Sequence, residues 1–224
     1  MADGALSAQL PISDRAQQAF DHVRPYLQPD PVLVVLSGPS GVGKDSVVQR
    51  LREMGHAFHF VVTATDRSPR PGEVHGTDYY FVSSAEFERM IAADELIEYA
   101  RVYDQYKGVP KIHTRQALAS GMDVVMRVDV QGAATIKRLI PAALTVILLP
   151  PSLEALTARL RRRGGDSPAQ VQQRIEVALA EMERVGEFDY AVVNPEGQLD
   201  EAVLQLAAII RAEKGRVGRS QVLI

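Results

Sequence analysis

The stretch 32-VLVVLSGPSGVGKDS-46 decides the fold. Its first six residues are apolar up to the closing Ser37 and do not alternate, which is how a strand covered on both faces reads. The next seven, Gly38 to Lys44, fit the phosphate-loop pattern G-x-x-x-x-G-K-[ST] up to its last place. A helix is predicted from Lys44 to Met54, with Gly55 as its C-terminal cap. Strand, glycine loop and helix in that order aim backbone N–H groups at a helix N-terminus, where a phosphate is favoured. The last place of the pattern is broken. A hydroxyl that holds Mg²⁺ is expected after the lysine, yet Asp45 stands there and the hydroxyl comes one residue late, at Ser46.

Outward from this stretch, strands are predicted at 58–63, 124–129, 144–149 and 190–193, with helices at 131–139, 152–163, 168–185 and 199–213. Ser167, Pro168 and Gln170 spell a capping box at the start of the third of these helices. Alternating strands and helices predict a three-layer α/β/α fold with a parallel core sheet. Residues 64–122 break the rhythm. "RSPRPGE", "DYYFV", a helix opened by Ser83 or Ser84, and "LIEYARVY" predict a small mixed α/β insertion. Before the first strand, Ala16, Phe20, Val23 and Leu27 predict a short amphipathic helix ending at Pro25 or Pro29.

Composition narrows the class. A chain of 224 residues with 46% apolar residues can bury one sizeable core. A net charge of −3 gives no global field to attract a nucleic-acid polymer. Of the cationic residues, five are Lys and twenty are Arg, the side chain suited to bidentate phosphate contacts. With no Cys, disulfides and thiolate metal sites are excluded. No apolar run approaches the roughly 20 residues of a membrane span, and "MADGALSAQL" lacks the features of a signal peptide. A cytoplasmic protein without membrane partners is expected.

Several residues point to a second phosphate and a base. Arg67 and Arg70 on a Pro-braced loop, followed by Tyr79, suit a phosphate, although a solvated turn reads the same way. Glu98 places a carboxylate inside an apolar, aromatic segment. An ionised carboxylate only accepts hydrogen bonds. Guanine offers N1–H and N2–H₂ side by side, whereas adenine has a bare N1, so a carboxylate in a base pocket selects guanine. The alternative is a strand Glu paired with Arg101. The basic run "RLRRRGGDS" offers arginines and a Gly164–Gly165 hinge, or simply a favourable charge cluster at a helix C-terminus.

Over nearly all of 32–214 the chain resembles the guanylate kinases, on "GPSGVGK", "TATDRSPRPGEVHGTDYYFV", "LIEYARVYDQYKG", "VDVQGA", "RLRRRGGDS", "QQRI" and "VVNPEG". The resemblance implies transfer of the γ-phosphoryl of MgATP to GMP. It implies a P-loop core (31–62, 123–151, 189–214), a GMP-binding insertion (63–122) and a mobile helical lid (152–188). Residues 1–30 are left as an extension and 215–224 as a tail. Gly38, Pro39, Ser40, Gly41, Val42, Gly43, Lys44, Asp45 and Ser46 would cradle ATP, with Asn194 near adenine. Arg67, Arg70, Glu73, Tyr79 and Lys107 would serve the GMP phosphate side, and Thr63, Glu98 and Asp129 would read guanine. Lys44, Arg159, Arg163 and Arg174 would neutralise the transferring phosphoryl, and Asp45 would approach Mg²⁺, directly or through water.

Three departures stand out. Relatives usually carry "YYG[ST]", but this chain has "YKGV", so Val109 cannot hydrogen-bond guanine O6. An acid that often precedes the Asp129 position by two is Arg127 here, and an acid has appeared at Asp45. The two changes are expected to be coupled, either as an ion pair or as separate partners of metal and phosphate. The alternatives are a ribose 1,5-bisphosphokinase, a related fold that can carry "GKDS", or a non-catalytic guanylate-kinase-like module that binds phosphopeptides. The sequence leaves the oligomeric state open.

Overall fold

A computed structural model describes residues 13–102, 105–162 and 167–224. Helix α1 (Asp14–Leu27) is capped by Ser13 and buries no residue. It runs through Pro25 and ends two residues before Pro29. Strand β1 (Leu33–Ser37) leads into the glycine loop and α2 (Lys44–Glu53). Gly55 follows with φ 73°, the left-handed conformation of a C-terminal cap. Strand β2 (Phe58–Phe60) is shorter than the predicted 58–63.

The insertion then builds its own sheet from β3 (Thr63–Thr65), β4 (Tyr79–Phe81), β5 (Leu96–Val102) and β6 (Gln105–Pro110), in the order β4-β3-β6-β5. Helix α3 (Ser84–Ala92), capped by Ser83, packs Phe87 against Ala64 and Leu96 beneath it. Helix α4 (Lys111–Ala119) returns the chain to the core. The core continues with β7 (Asp123–Arg127), α5 (Val130–Leu139), β8 (Leu144–Leu149), α6 (Leu153–Arg162), α7 (Pro168–Glu183), β9 (Tyr190–Val193) and α8 (Leu199–Lys214). The capping box at Ser167 and Gln170 is formed in full.

The core sheet is parallel, in the order β2-β7-β1-β8-β9. Strand β1 lies at its centre and is buried throughout. Val34 and Leu36 face one core with Val47, Leu51, Val203 and Leu206 from α2 and α8. Leu33 and Val35 face the other, with Ile136 from α5 and Ala117 from α4. This two-sided burial is why the strand reads as an unbroken apolar run. The last residues of the chain, Val222 and Ile224, also pack on the second core, and Arg115 Nε donates to the Ile224 carbonyl at 2.7 Å. At the far end of β1, Asp123 ties three elements together. It accepts from Val32 N at 2.9 Å and from Lys214 Nζ at 3.0 and 2.9 Å.

Candidate active site

The glycine loop is shaped by what lies behind it. Gly38, Gly41 and Gly43 have φ of 136°, 83° and 102°, a region that L side chains rarely adopt. Space forbids a side chain as well. A Cβ at Gly38 would lie 2.3 Å from the Leu148 carbonyl oxygen, and one at Gly43 would lie 2.5 Å from Asn194 Nδ2. Asn194 is buried and donates through Nδ2 to the Val42 carbonyl at 2.8 Å. Arg159 joins it there, donating to Val42 O at 3.2 Å and Asn194 O at 2.9 Å, while Glu196 accepts from its guanidinium at 2.9 Å. Both residues expected at the nucleotide thus brace the loop from outside.

Lys44 folds its ammonium onto the carbonyls of Gly38 and Pro39. Burial holds its pKa below the ordinary lysine value, and the charges of Glu181 and Asp45 partly offset this. Glu181, from α7, lies beside the loop, where the Lys44 charge and the Ser40 backbone favour its ionised form. Burial is the main cause that raises its pKa. Sequence reading missed Glu181. Its signal was an acid set beside the inward stripe of Val171, Ile175, Ala178 and Met182.

In front of the loop, the two sheets enclose a cleft of about 200 Å³. Thr63, Tyr79, Glu98, Lys107 and Asp129 line it, together with Lys44, Arg127 and the apolar Ala100, Val109 and Val128. Five of the eight residues expected to serve GMP therefore share one cavity. Glu98 approaches from β5 and Asp129 from the N-cap of α5, where Asp129 Oδ1 accepts from Gly132 N at 2.7 Å. Gly132 lets the two acids converge, because a Cβ there would lie 3.3 Å from Asp129 Oδ1 and 3.4 Å from Glu98 Oε1. Burial, and secondarily the Asp129 charge, push the Glu98 carboxyl up to about 7. The Arg101 guanidinium stands over the Tyr106 ring, 5.5 Å from its centroid, and it is burial and Asp129 that move the Glu98 carboxyl.

At the outer end of the cleft, Arg67 lies 4.8 Å over the Tyr79 ring. Glu73 grips it with two bonds of 2.6 Å and also accepts from Arg70 N at 2.7 Å. That grip holds the Glu73 carboxyl down at about 2. Glu73 is thus set to orient Arg67, while the Arg70 side chain stays exposed. Arg174 is half-buried on α7 and does not line the cleft. Arg163 and the Gly164–Gly165 pair lie outside the described residues.

Asp45 and Arg127 meet. Arg127 Nη1 donates to Asp45 Oδ1 across the step from the end of β7 to the first turn of α2. Ser46 is exposed one residue further along. Among the described residues, no group of three or more His, Cys, Asp or Glu is placed to hold a metal.

Comparison with known proteins gives a single answer. A family model described as "Guanylate kinase" matches residues 31–213. Guanylate kinase 2, chloroplastic/mitochondrial, of Oryza sativa is 50% identical over 88% of this chain and 69% of its own length. The guanylate kinase of Methylococcus capsulatus is 45% identical over 84% of this chain and 91% of its own. Among solved structures, guanylate kinase from Anaplasma phagocytophilum superposes with a TM-score of 0.67 at 29% identity, covering 85% of this chain and 89% of that one. With the fold, the loop and a family model that matches from residue 31 to residue 213, this chain belongs to the guanylate kinase family.

Proposed function

We propose how this chain performs the reaction of its family, ATP + GMP = ADP + GDP. Catalysis is positioning and charge neutralisation on a loop that holds ATP and a cleft that holds GMP. The observation that carries this reading is the convergence of Glu98, Asp129 and Thr63 in a cleft that opens onto Lys44. Two acceptor carboxylates side by side suit the N1–H and N2–H₂ edge of guanine. Arg67, held over Tyr79, and Lys107 suit the acceptor phosphate, with Arg70 free to fold in from the surface.

The acceptor phosphate has a second pKa near ~6 and is mostly a dianion at pH 7. It needs no general base, and our reading assigns none to His22, His56, His59, His75 or His113. Lys44 turns from the loop carbonyls to the nucleotide phosphates when these arrive. Arg159 and Asn194 keep the loop in shape, and Arg163 and Arg174 remain our candidates for charge on the transferring group.

Asp45 fits a divalent metal carried by the nucleotide. It stands on the first turn of α2 beside Lys44 with its side chain 66% exposed. Mg²⁺ is commonly bound through one or two carboxylates, water and substrate phosphates. When bound, Mg²⁺ would supply positive charge that neutralises the nucleotide phosphates.

We read 63–122 as the GMP-binding insertion and 152–188 as the lid. No helix among the described residues is long and apolar enough to cross a membrane. A cytoplasmic setting is our reading of its small-molecule substrates.

The test is turnover with MgATP and, in turn, GMP, AMP, CMP, UMP and ribose 1,5-bisphosphate. GDP is expected as the main product. Preferential use of the ribose bisphosphate, or no transfer to GMP, would overturn the reading.

A further inference from the structure

The Asp45–Arg127 pair is a one-armed contact, as are Arg162–Glu196 and Arg216–Glu213, and it differs from the forked arginine–carboxylate pairs of this protein. Arg67–Glu73, Arg50–Asp200 and Arg184–Glu187 are forks, each with two guanidinium nitrogens on two carboxylate oxygens. Forks fix geometry as well as charge. Asp45 and Arg127 touch through one arm only, Nη1 to Oδ1. Asp45 leaves 66% of its side chain to solvent and Arg127 leaves 34%. A carboxylate has about four lone-pair sites, so most of the acceptor capacity of Asp45 faces outward. Arg127 in turn borders the cleft that holds Glu98, Asp129 and Lys107, and it pairs in register with Leu36, two residues before the glycine loop.

This arrangement cannot persist unchanged when a polyphosphate enters the loop. The Asp45 charge acts on the Lys44 ammonium, so it also reaches phosphates held there and repels them unless a cation stands between. Arg127 is one such cation, and a metal on the phosphates is the other. The cleft side has the opposite need. Its acids, Glu98 and Asp129, oppose an incoming nucleoside monophosphate dianion.

We propose that Asp45 and Arg127 are an exchangeable pair that links metal–nucleotide binding to acceptor binding. Asp45 pairs with Arg127 in the empty protein and exchanges it for the metal shell of the bound nucleotide. Arg127, released, adds its positive charge to the cleft wall, where the acceptor phosphate lies. Both are positioning residues: Asp45 acts through the metal shell and Arg127 through the field of the cleft. The inference rests on the reading of the loop as an ATP site.

The experiment is calorimetric binding of ADP, which transfers nothing to GMP, with and without Mg²⁺, followed by GMP binding to each form. It uses the unmodified protein, Asp45→Asn, Arg127→Gln and the double variant, with melting temperatures recorded for all. In the unmodified protein, Mg²⁺ is expected to tighten ADP, and MgADP is expected to tighten GMP. Asp45→Asn should lose about tenfold of the Mg²⁺ enhancement, the lower end of what losing a metal-orienting group costs, and should bind metal-free ADP no more weakly than before. Arg127→Gln should move the other way on metal, half-saturating at several-fold lower Mg²⁺ because Asp45 is already released. It should also lose the MgADP-induced tightening of GMP.

These opposed shifts separate an exchangeable pair from a fixed brace, which would lower both melting temperatures and leave the Mg²⁺ dependence alone. Unchanged Mg²⁺ dependence in both single variants would overturn the proposal. If the unmodified protein bound no ADP, the reading of the loop would fall with it. Asp45→Ala and Arg127→Met remove the same charges and give the same readout should the amide variants not fold.

Discussion

Glu98 carries the most exposed consequence of the account. Burial and the Asp129 charge raise its carboxyl to about 7, above the ordinary value near ~4.3. Between those two values the folded protein holds a proton that the unfolded chain has lost. Its contribution therefore favours folding at low pH and fades as pH rises toward 7. Guanine needs the ionised form, so GMP binding releases a proton below about pH 7. KM for GMP, at saturating MgATP, is expected to climb as pH falls below that value, approaching tenfold per pH unit. Glu98→Gln should lack that part of the profile and keep only the titration of the phosphate near ~6. Identical profiles in the two proteins would remove Glu98 from guanine recognition.

At this scale the sequence was readable where a residue type conflicts with its surroundings. An acid in "LIEYA" and an acid in place of a hydroxyl at Asp45 both announced themselves. The resemblance placed Glu73 on the phosphate side, but its grip on Arg67 did not announce itself, because it is fixed by a turn whose geometry no periodicity reports.

Among the elements, β1, the loop and α2 were legible because each is dictated locally. Two-sided burial fills β1 with aliphatics, and left-handed backbone demands glycine at 38, 41 and 43. Strand β6 was not legible. Gln105, Lys107, Gly108 and Pro110 carry little strand preference, and what makes them a strand is antiparallel pairing with β5 and β3. Helix α4 buries only small residues, Thr114 and Ala117, and so leaves a faint periodic signal. The arrest of α1 was half legible: of the two prolines, Pro29 marks its limit and Pro25 lies inside its last turn.

The same local logic makes Gly43 a test of the loop. Alanine there would hold φ near 102° and press on Asn194 Nδ2, which supports Val42. The backbone penalty alone is about 1–2 kcal/mol, or several degrees of melting temperature at ~2–4 °C per kcal/mol for a chain of this size. Gly43→Ala is expected to lower the melting temperature by that much and to raise KM for ATP at least about tenfold. An unaltered KM for ATP would show that the brace behind the loop does not shape the nucleotide site.

In the whole molecule, a parallel sheet delivers the loop and a second, smaller sheet delivers the cleft. The division was legible from the alternation of strands and helices and from its break over 64–122. The way in which the two sheets share Lys44, Arg127 and Asp129 as a common wall was not, since it depends on contacts far apart in the chain. The net charge of −3 likewise says nothing of a cleft that pairs three cations with two acids. That pairing is the central claim: one wall reads guanine with carboxylates while its cations hold phosphate. The direct measurement is the ratio of kcat/KM for GMP over AMP at saturating MgATP, in the unmodified protein and in Glu98→Gln. Polar mismatches of this kind discriminate by ~10⁴–10⁵. The account predicts a ratio of that order and a fall of at least about a hundredfold in the variant. Comparable use of AMP and GMP by the unmodified protein, or a ratio that Glu98→Gln leaves in place, would contradict it.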